Sequence, residues 1–400
     1  MLKEPANINK DEQDILYARI PTVFSPGTPI SNKQLFAGRR EQVVQVLESI
    51  YHPGQHVIIF GDRGIGKTSL SAVLGGFATG ADSFLLCRIN CGADDTFDSV
   101  WRKMFTQIEV GDGDERKTIA ELLGDTPITP FVVQQQLIPI SHDKNVRIIL
   151  VFDEFDTILD PSAKRSFSET IKALSDFAVP ATIIIVGIAD TVDKLIAEHQ
   201  SIERNIVQVR MPRMSAIELE EILVKNGLDA IGLGIEDNAM RWIIELSQGL
   251  PNYTHSLGKY AALAAVGELK RNVLLSHVVD AITKAHEQTN HTIRSMYVKA
   301  VSCPRRNILK EVLLACAMAR TDELGAFAAN DVREPLRKIM NDESYDIPNY
   351  AAHLNAFSST RGPVLLKTGT KKNYRYRFVE PVLAPYIRMD GYRTGMLKIS

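Results

Sequence analysis

The chain has 400 residues and a composition ordinary for a globular protein, with 45% hydrophobic and 24% charged residues. Its length suggests two or three domains, and no apolar run is long enough to span a bilayer. The first residues lack the apolar core of a secretory signal peptide, and the four cysteines form no Cys-x-x-Cys pair. We therefore expect a cytoplasmic protein with reduced thiols and no membrane partner.

The charge is unevenly distributed, although the net charge is only −2. Residues 301–400 contain 16 Lys and Arg against 10 Asp and Glu, whereas the first 300 residues contain 30 against 38. A basic C-terminal segment on an acidic body indicates an anionic partner for that segment, and an ordinary solvated surface is the alternative.

The chain begins without a clear periodicity. Pro21, Pro26, Gly27 and Pro29 interrupt any regular element, so residues 1–30 are predicted to form an arm or linker. From Arg40 to Ser49, apolar residues recur at helical spacing and predict an amphipathic helix. Gly38-Arg39-Arg40-Glu41 leads into that helix.

The most specific motif comes next. Residues 57–60 read as a buried strand, and 69–77 can continue as a helix. Between them lies Gly-x-x-x-x-Gly-Lys-Thr, the pattern of a phosphate-binding loop, in which glycines let backbone N–H groups face an anion. A chance glycine-rich turn is the alternative. The proposed nucleotide contacts are Gly61, Asp62, Arg63, Gly64, Ile65, Gly66, Lys67, Thr68 and Ser69, with Lys67 at the β- and γ-phosphates and the Thr68 hydroxyl on Mg²⁺.

The following segment alternates strand and helix. Residues 83–89 predict a second buried strand, 93–108 a helix, 111–125 a polar, mobile excursion, and 131–137 a short helix. Cys87 and Cys91 could form half of a zinc site, but no second half follows, so a structural role is the better interpretation.

A second motif completes the nucleotide site. The strand 147–153 is apolar and ends in Asp153-Glu154. Asp153 at the strand end is suited to hold Mg²⁺, and Glu154 to orient and deprotonate the attacking water. A buried strand that stops at an acidic turn is the alternative. We interpret Asp156 and Asp160 as turn and cap residues.

Two further polar residues accompany the next strands. Asp190 follows the predicted strand 181–187, where polar groups at carboxyl strand ends point into a ligand crevice. A helix cap is the alternative role of Asp190. Arg204 precedes a short strand at 206–209.

The remainder is predicted to be mainly helical. Residues 213–290 predict a helical bundle opened by a Ser215–Glu218 capping box and containing Gly249-Leu250-Pro251. Residues 300–400 predict three helices and a β-hairpin, the plan of a winged helix. The hairpin carries Lys367, Lys371, Lys372, Arg375 and Arg377, with Tyr374 and Tyr376 interleaved.

With these parts in order, residues 31–390 resemble the AAA+ ATPases, and most closely the prokaryotic relatives of the origin-recognition ATPases that approach the signal-transduction (STAND) class. The resemblance implies an α/β fold: a P-loop NTPase αβα sandwich of strand order 5-1-4-3-2, a helical lid and a winged helix. The corresponding domains are an arm at 1–30, a nucleotide-binding core at 31–212, a lid at 213–295 and a winged helix at 296–400.

The resemblance also implies residue roles. Arg39 would lie beside the adenine, Pro251 would pack by the nucleotide, and Arg204 would be an arginine finger acting on a neighbouring subunit, with a surface salt bridge as its alternative. Asp190 falls at sensor 1, where origin-type members usually have Asn. No sensor-2 arginine is evident, and Lys259 is a weak substitute.

Three functional hypotheses follow. The first is an ATP-binding and ATP-hydrolysing switch, with Mg²⁺ and ATP/ADP bound and Glu154, Lys67, Asp190 and Arg204 as its catalytic residues, acting as a homo-oligomer or with a partner protein. The second is a DNA-binding initiator or loader that uses the basic wing on duplex DNA. The third is a protein-sensing regulator of the STAND type, for example in phage defence.

Overall fold

The computed structural model describes residues 7–30, 32, 35–77, 83–111, 116–143, 146–188, 203–305, 307–322, 325–370 and 373–398. The chain forms two compact units. We call residues 29–62 and 66–211 the sheet unit, and residues 1–28, 63–65 and 212–400 the helical unit. The four-part division expected from the sequence stays a prediction. No described helix combines the length and the apolar character needed to cross a membrane.

The N-terminal segment is more regular than the sequence indicated. Helix α1 spans Lys10–Val23, and the Asn9 side chain caps it by accepting a hydrogen bond from the Glu12 N–H. The expectation that Pro21 excludes a regular element was wrong, because Pro21 lies in the last turn, where the helix ends within two residues. Buried Leu16, Ile20 and Val23 then anchor α1 in the helical unit.

The sheet unit alternates strands and helices, as predicted. The ends of its helices and strands differ from the predicted ends by a few residues. Thr96, for example, caps α4, so this helix begins at Phe97 rather than at the predicted residue 93. The elements are α2 Arg40–Tyr51, β1 His56–Phe60, α3 Lys67–Phe77, β2 Ser83–Asn90, α4 Phe97–Phe105, β3 Glu109–Val110, β4 Lys117–Thr118, α5 Ile119–Leu123, α6 Pro130–Asp143, β5 Val146–Asp153, α7 Pro161–Asp176, β6 Ala181–Gly187 and β7 Ile206–Arg210.

Five of these strands form one parallel sheet in the order β2-β5-β6-β1-β7. Numbered only among themselves and counted from the opposite edge, they have the order 5-1-4-3-2, so the fold class is confirmed. The register aligns the carboxyl ends: Asn90 pairs with Asp153, and Phe60 pairs with both Gly187 and Arg210. A ligand crevice is expected at this edge in open parallel sheets.

An aromatic cluster fixes the sheet against its helices. Trp101 on α4 is fully buried, and its ring centroid lies 5.2 Å from that of Phe152 on β5. Phe167 on α7 lies 4.9 Å from Phe152 and 4.8 Å from Phe155. Because Phe152 and Phe155 flank Asp153-Glu154 in the chain, this packing holds the acidic motif in place from both sides.

The polar excursion expected at 111–125 was wrong for its described part. Lys117–Thr118 pairs with Glu109–Val110 as an antiparallel ribbon, and α5 follows directly. Thr118 and Glu121 form a capping box, and Ile119 is fully buried. The capping-box spacing was present in the sequence and signals this helix.

The helical unit continues after β7. Ser215 and Glu218 form the predicted capping box, and a π-helical turn at Glu221–Leu228 follows. A short parallel strand pair interrupts the expected all-helical region. The elements are α8 Ala216–Glu220, β8 Gly234–Ile235, α9 Asp237–Ser247, α10 Pro251–Gly267, β9 Asn272–Val273, α11 Leu275–Glu287 and α12 His291–Val301.

The C-terminal hundred residues contain the three predicted helices and the predicted hairpin. The structure adds a third strand, β10, which pairs with β12, and a final helix that the sequence analysis missed. The elements are α13 Leu309–Met318, β10 Phe327–Ala328, α14 Arg333–Met340, α15 Ile347–Phe357, β11 Leu365–Thr368, β12 Arg375–Phe378 and α16 Leu383–Arg393.

Candidate nucleotide-binding site

The phosphate-binding loop joins β1 to α3 in the sheet unit. All five β1 residues are buried, which fixes the start of the loop in the sheet. Gly61, Gly64 and Gly66 have φ values of 144°, 81° and 93°. Residues that carry a Cβ atom rarely adopt this backbone region. Helix α3 begins at Lys67, so its first N–H groups are open to an anion at the loop.

The Lys67 side chain folds back over this loop. Its Nζ donates to the carbonyl oxygens of Gly61 and Asp62, at 3.0 and 2.7 Å. The residue is only 8% exposed. The ammonium group is therefore held at the loop itself, where a bound phosphate would lie within its reach.

The two hydroxyl residues after Lys67 have different surroundings. Thr68 is half-buried in the first turn of α3. The Ser69 hydroxyl oxygen accepts a hydrogen bond from the Ile30 N–H at 3.1 Å. The Ser69 side chain thus anchors the segment that leads into the sheet unit.

Asp153 is the last residue of β5 and is 2% exposed. Its Oδ1 accepts the N–H of Glu154 at 2.9 Å, and its Oδ2 accepts a hydrogen bond from Nη2 of Arg88 at 2.7 Å. The carboxylate is therefore held by one backbone donor and one cation. Arg88 was not among the predicted site residues, although a charged residue inside an otherwise apolar strand is a signal for one.

Glu154 differs from Asp153 in exposure and backbone. Its φ is 56°, and its side chain is exposed. A non-glycine residue in this conformation costs roughly 1–3 kcal/mol, and such residues cluster at functional sites. The Thr157 hydroxyl, 2.7 Å from the Glu154 carbonyl and 3.1 Å from that of Cys91, shares its proton with these acceptors and braces the turn.

Asp156 and Asp160 have the turn and cap roles that were expected for them. Asp156 Oδ1 accepts the N–H of Ile188 at 2.8 Å and so ties the end of β6 to the turn. Asp160 caps α7 by accepting the Ser162 N–H, as predicted. Asp190 lies outside the described residues.

The sheet topology brings the two motifs to the same end of the sheet, where the carboxyl ends of the strands lie. Only β6 separates β1 from β5, so the strands that carry the loop and the acidic turn are about 10 Å apart at the usual spacing. Phe60 pairs with Gly187 and Phe152 with Ile185, so both motifs begin at nearly the same level.

Arg204 lies elsewhere in the sheet unit. It is exposed in the turn before β7, and Ile206 pairs with His56 at the amino end of β1. The five-residue strand β1, roughly 17 Å long at about 3.3 Å per residue, separates that level from the loop. The structure therefore does not bring Arg204 to the loop of its own chain.

Two other predicted contacts lie at the starts of helices. Arg39 has a φ of 59°, precedes α2, and is 2% exposed. Pro251 opens α10, after Gly249 with a φ of 78°. A Cβ on Gly249 would lie 2.7 Å from the Arg213 Cβ, so packing alone requires this glycine.

Cys87 in β2 and Cys91 just after it behave as structural thiols. Burial raises the pKa of Cys87 to about 11, and burial together with nearby carboxylates raises the pKa of Cys91 to about 12. Both thiols therefore stay protonated at neutral pH, whereas zinc binds thiolates. Among the described residues, no group of three or more His, Cys, Asp or Glu side chains is arranged to hold a metal.

The oxygen atoms at the carboxyl end of the sheet are nevertheless of the kind that binds magnesium. Thr68 and Asp153 offer hard oxygen ligands, and protein sites commonly hold Mg²⁺ with one or two such groups together with substrate phosphates. The glycine conformations of the loop fit a phosphate, because they leave the backbone free of Cβ atoms where the anion would lie.

A parallel sheet with a glycine-rich loop after β1 and an acidic turn after β5 defines a P-loop nucleoside triphosphatase. Residues 29–299 match the model of the family described as Novel STAND NTPase 1, and the chain belongs to that family. A comparison with curated protein sequences found no match.

Solved structures with the same fold span nearly the whole chain. A Walker-type ATPase of Pyrococcus abyssi is 16% identical with a TM-score of 0.54, covering 92% of this chain and 99% of its own. The Aeropyrum pernix ORC2 protein, solved in ADPNP–ADP complexes, is 15% identical with a TM-score of 0.52, covering 93% and 97%. Cdc6p of Pyrobaculum aerophilum is 15% identical with a TM-score of 0.50, covering 96% and 98%.

Proposed function

We propose that this chain is an Mg²⁺-dependent ATPase that works as a nucleotide-controlled switch. The observation that carries the proposal is the pair of motifs at one sheet edge, with only β6 between them. The family supports triphosphate hydrolysis in general. The choice of ATP is supported by ADPNP and ADP, the adenine nucleotides in the complexes of the Aeropyrum pernix ORC2 protein.

The proposed chemistry divides among few residues. The amides of residues 61–66 and the Lys67 ammonium would bind the β- and γ-phosphates. Thr68 and Asp153 would hold Mg²⁺, which supplies charge neutralisation on the phosphates. Glu154 would orient the attacking water and accept its proton, and its exposure beside a buried, charge-paired Asp153 supports this division of roles.

We propose that Arg204 completes the site of a neighbouring subunit. Its exposure and its position at the amino end of β7 support action in trans, since one strand length separates it from its own loop. The active form would then be a homo-oligomer. Asp190 is proposed to act on the γ-phosphate side as sensor 1, by its place in the sequence after β6.

The switch would act through the other domains. We propose a lid at 213–295, with Pro251 near the nucleotide, and a winged helix at 296–400 whose position depends on whether ATP or ADP is bound. Arg39 is proposed to line the adenine side, since it stands just before α2 at the start of the family match.

The partner of the C-terminal segment is proposed to be a protein. Lys367 donates to Asn355 at 2.7 Å and lies 3.6 Å from the centroid of the Tyr374 ring, and Arg375 pairs with Asp322 at 2.6 Å. These two wing cations are thus already engaged within the chain. The net positive charge of this segment keeps duplex DNA as the second candidate.

One experiment tests the proposal. Purified protein is assayed for binding of ATP and for phosphate release with Mg²⁺, and its mass in solution is measured with ATP and with ADP. We expect tight ATP binding, slow turnover and a larger assembly with ATP. Absence of ATP binding would contradict the proposal. A duplex-DNA titration across a salt series, with steeply salt-dependent affinity, would favour the DNA-binding candidate instead.

A further inference from the structure

The Arg88–Asp153 ion pair occupies a carboxylate that the ATPase mechanism needs for its metal. Arg88 lies on β2, the edge strand, and Asn90 pairs with Asp153 on β5. Because side chains two residues apart in a strand share a face, Arg88 lies on the same face as Asn90 and reaches across to the end of β5.

The pair is short, and its carboxylate is buried while its guanidinium is partly exposed. Arg88 Nη2 lies 2.7 Å from Asp153 Oδ2, and the Asp153 side chain is 3% exposed against 27% for Arg88. The other carboxylate oxygen is engaged by the Glu154 N–H. Both oxygens of the proposed metal ligand therefore already accept a hydrogen bond within the chain.

The backbone of Arg88 is fixed, whereas its guanidinium is not fully engaged. The Arg88 N–H donates to Gln107 Oε1 at 3.1 Å, and Gln107 Nε2 donates to the Arg88 carbonyl at 2.7 Å. Gln107 thus takes the place of a neighbouring strand on the open edge of β2. Arg88 Nε is buried without a hydrogen-bond partner among the described residues, so the pair with Asp153 is not bidentate and can be exchanged.

We infer that Arg88 is a positioning residue that serves as the counter-ion of Asp153 in the nucleotide-free site and competes with Mg²⁺ for its carboxylate. Loading of Mg²⁺ with the nucleotide then requires exchange of the guanidinium for the metal. The Mg²⁺ concentration needed for nucleotide binding is raised by this competition, which suits a switch that must stay empty until it is triggered. This inference rests on the proposed ATPase function.

The test is a magnesium chloride titration of binding of a fluorescent ATP analogue, without turnover, on the full chain. We expect Arg88→Gln and Arg88→Met to lower the Mg²⁺ concentration for half-maximal binding by about five- to tenfold, because a like charge beside the metal is removed. Arg88→Lys keeps the charge and should stay near wild type. In an Asp153→Asn background the effect of Arg88→Gln should vanish.

The matched control is Arg102→Gln. Arg102 forms an arginine–aspartate pair with Asp98 on α4, and its other hydrogen bonds go to the carbonyls of Gly124 and Thr126. It should leave the Mg²⁺ dependence unchanged. An unchanged or higher Mg²⁺ requirement in both neutral Arg88 variants would overturn the inference. Failure of the wild type to bind the analogue at any Mg²⁺ concentration would instead overturn the proposed function.

Thermal unfolding gives a second readout. Without metal and nucleotide, Arg88→Gln leaves Asp153 buried and unpaired, so its melting temperature should fall below that of the wild type. With saturating Mg²⁺ and the analogue, the metal replaces the lost cation and the difference should shrink. An equal loss in both conditions would assign Arg88 a purely structural role.

Discussion

Asp156 binds the end of β6 to the acidic turn, because its Oδ1 accepts the N–H of Ile188 at 2.8 Å. The segment that follows Ile188 leads to Asp190, and the turn itself contains Glu154. Asp156 therefore adds a side-chain link between the ends of two strands that already pair in the sheet.

Asp156→Ala is expected to lower turnover more than nucleotide affinity, since it loosens the strand ends without touching the phosphate loop. We expect a loss of about 1 kcal/mol in the free energy of unfolding. The matched control is Asp160→Ala, which removes the α7 cap in the same turn region and costs about 1 kcal/mol. Urea unfolding and phosphate release are measured on both. Equal turnover in the two variants would contradict the role of Asp156.

Lys67→Ala is expected to abolish nucleotide binding with little effect on folding. Hydrogen bonds to the carbonyls of Gly61 and Asp62 hold the Lys67 ammonium group at the phosphate-binding loop. The substitution therefore removes the positive charge from that loop. Equilibrium titration with ATP measures the affinity. Lys103→Ala, which breaks the pair with Asp95 on the same unit, is the control and should bind ATP normally. Unchanged ATP affinity in Lys67→Ala would refute the site.

Local patterns predicted the parts of the site that are contiguous in sequence. The phosphate loop needs glycines at fixed positions, and Gly61, Gly64 and Gly66 have the φ values that explain them. The acidic turn likewise follows a short run of apolar residues that predicted a buried strand, and β5 is that strand. Strand order followed from the resemblance rather than from the residues, because no local pattern states which strands are neighbours.

Contacts between distant residues escaped prediction. Arg88 and Asp153 are 65 residues apart, and their pairing depends on the register of β2 with β5. Helix α1 was missed for another reason: Pro21 was weighed as a breaker, although a proline in a last turn removes a hydrogen bond that the helix can lose. Helix α16 was missed because all residues from Leu383 to Gly391 are buried, polar ones included, so its sequence has no amphipathic period to detect.

Glu154→Gln is expected to bind ATP with near wild-type affinity and to release phosphate roughly 10²–10⁴-fold more slowly, the contribution of a general base. The amide keeps the size of the side chain and tolerates the same backbone, so the fold should be unaffected. Single-turnover phosphate release and analogue binding are measured together. Glu169→Gln on the exposed face of α7 is the control. Normal phosphate release by Glu154→Gln would rule out this base.

The buried His56 should make the stability of the sheet unit sensitive to acid. Burial lowers its pKa to about 3, and its Nδ1 accepts the Ile183 N–H at 3.0 Å. In the unfolded chain His56 is protonated below about pH 6.5, whereas in the folded chain it stays neutral down to about pH 3. The free energy of unfolding therefore falls as the pH drops from about 6.5 towards 3. The slope is at most ~1.4 kcal/mol per pH unit.

His56→Asn keeps an acceptor for Ile183 but cannot titrate. Urea unfolding of both proteins at pH 7, 6 and 5 should give a shallower pH dependence in the variant, by a difference that approaches one proton at pH 5. Its stability at pH 7 is the internal reference, because a packing defect shifts all three values equally. Parallel curves for the two proteins would show that His56 is not the cause.

Arg204→Ala is expected to bind ATP but to lose most turnover, because the exposed guanidinium before β7 would no longer complete a neighbouring site. An arginine that acts in trans on a transferring phosphoryl group contributes about 10³–10⁵-fold. Mixing supplies the decisive measurement. Arg204→Ala retains Glu154, and Glu154→Gln retains Arg204, so mixed oligomers contain sites with both groups intact. Phosphate release should therefore reappear when the two inactive variants are combined, and should depend on total protein concentration. Arg165→Ala, on α7, is the matched control and should remain active alone. No recovery on mixing, with oligomers present, would contradict action in trans.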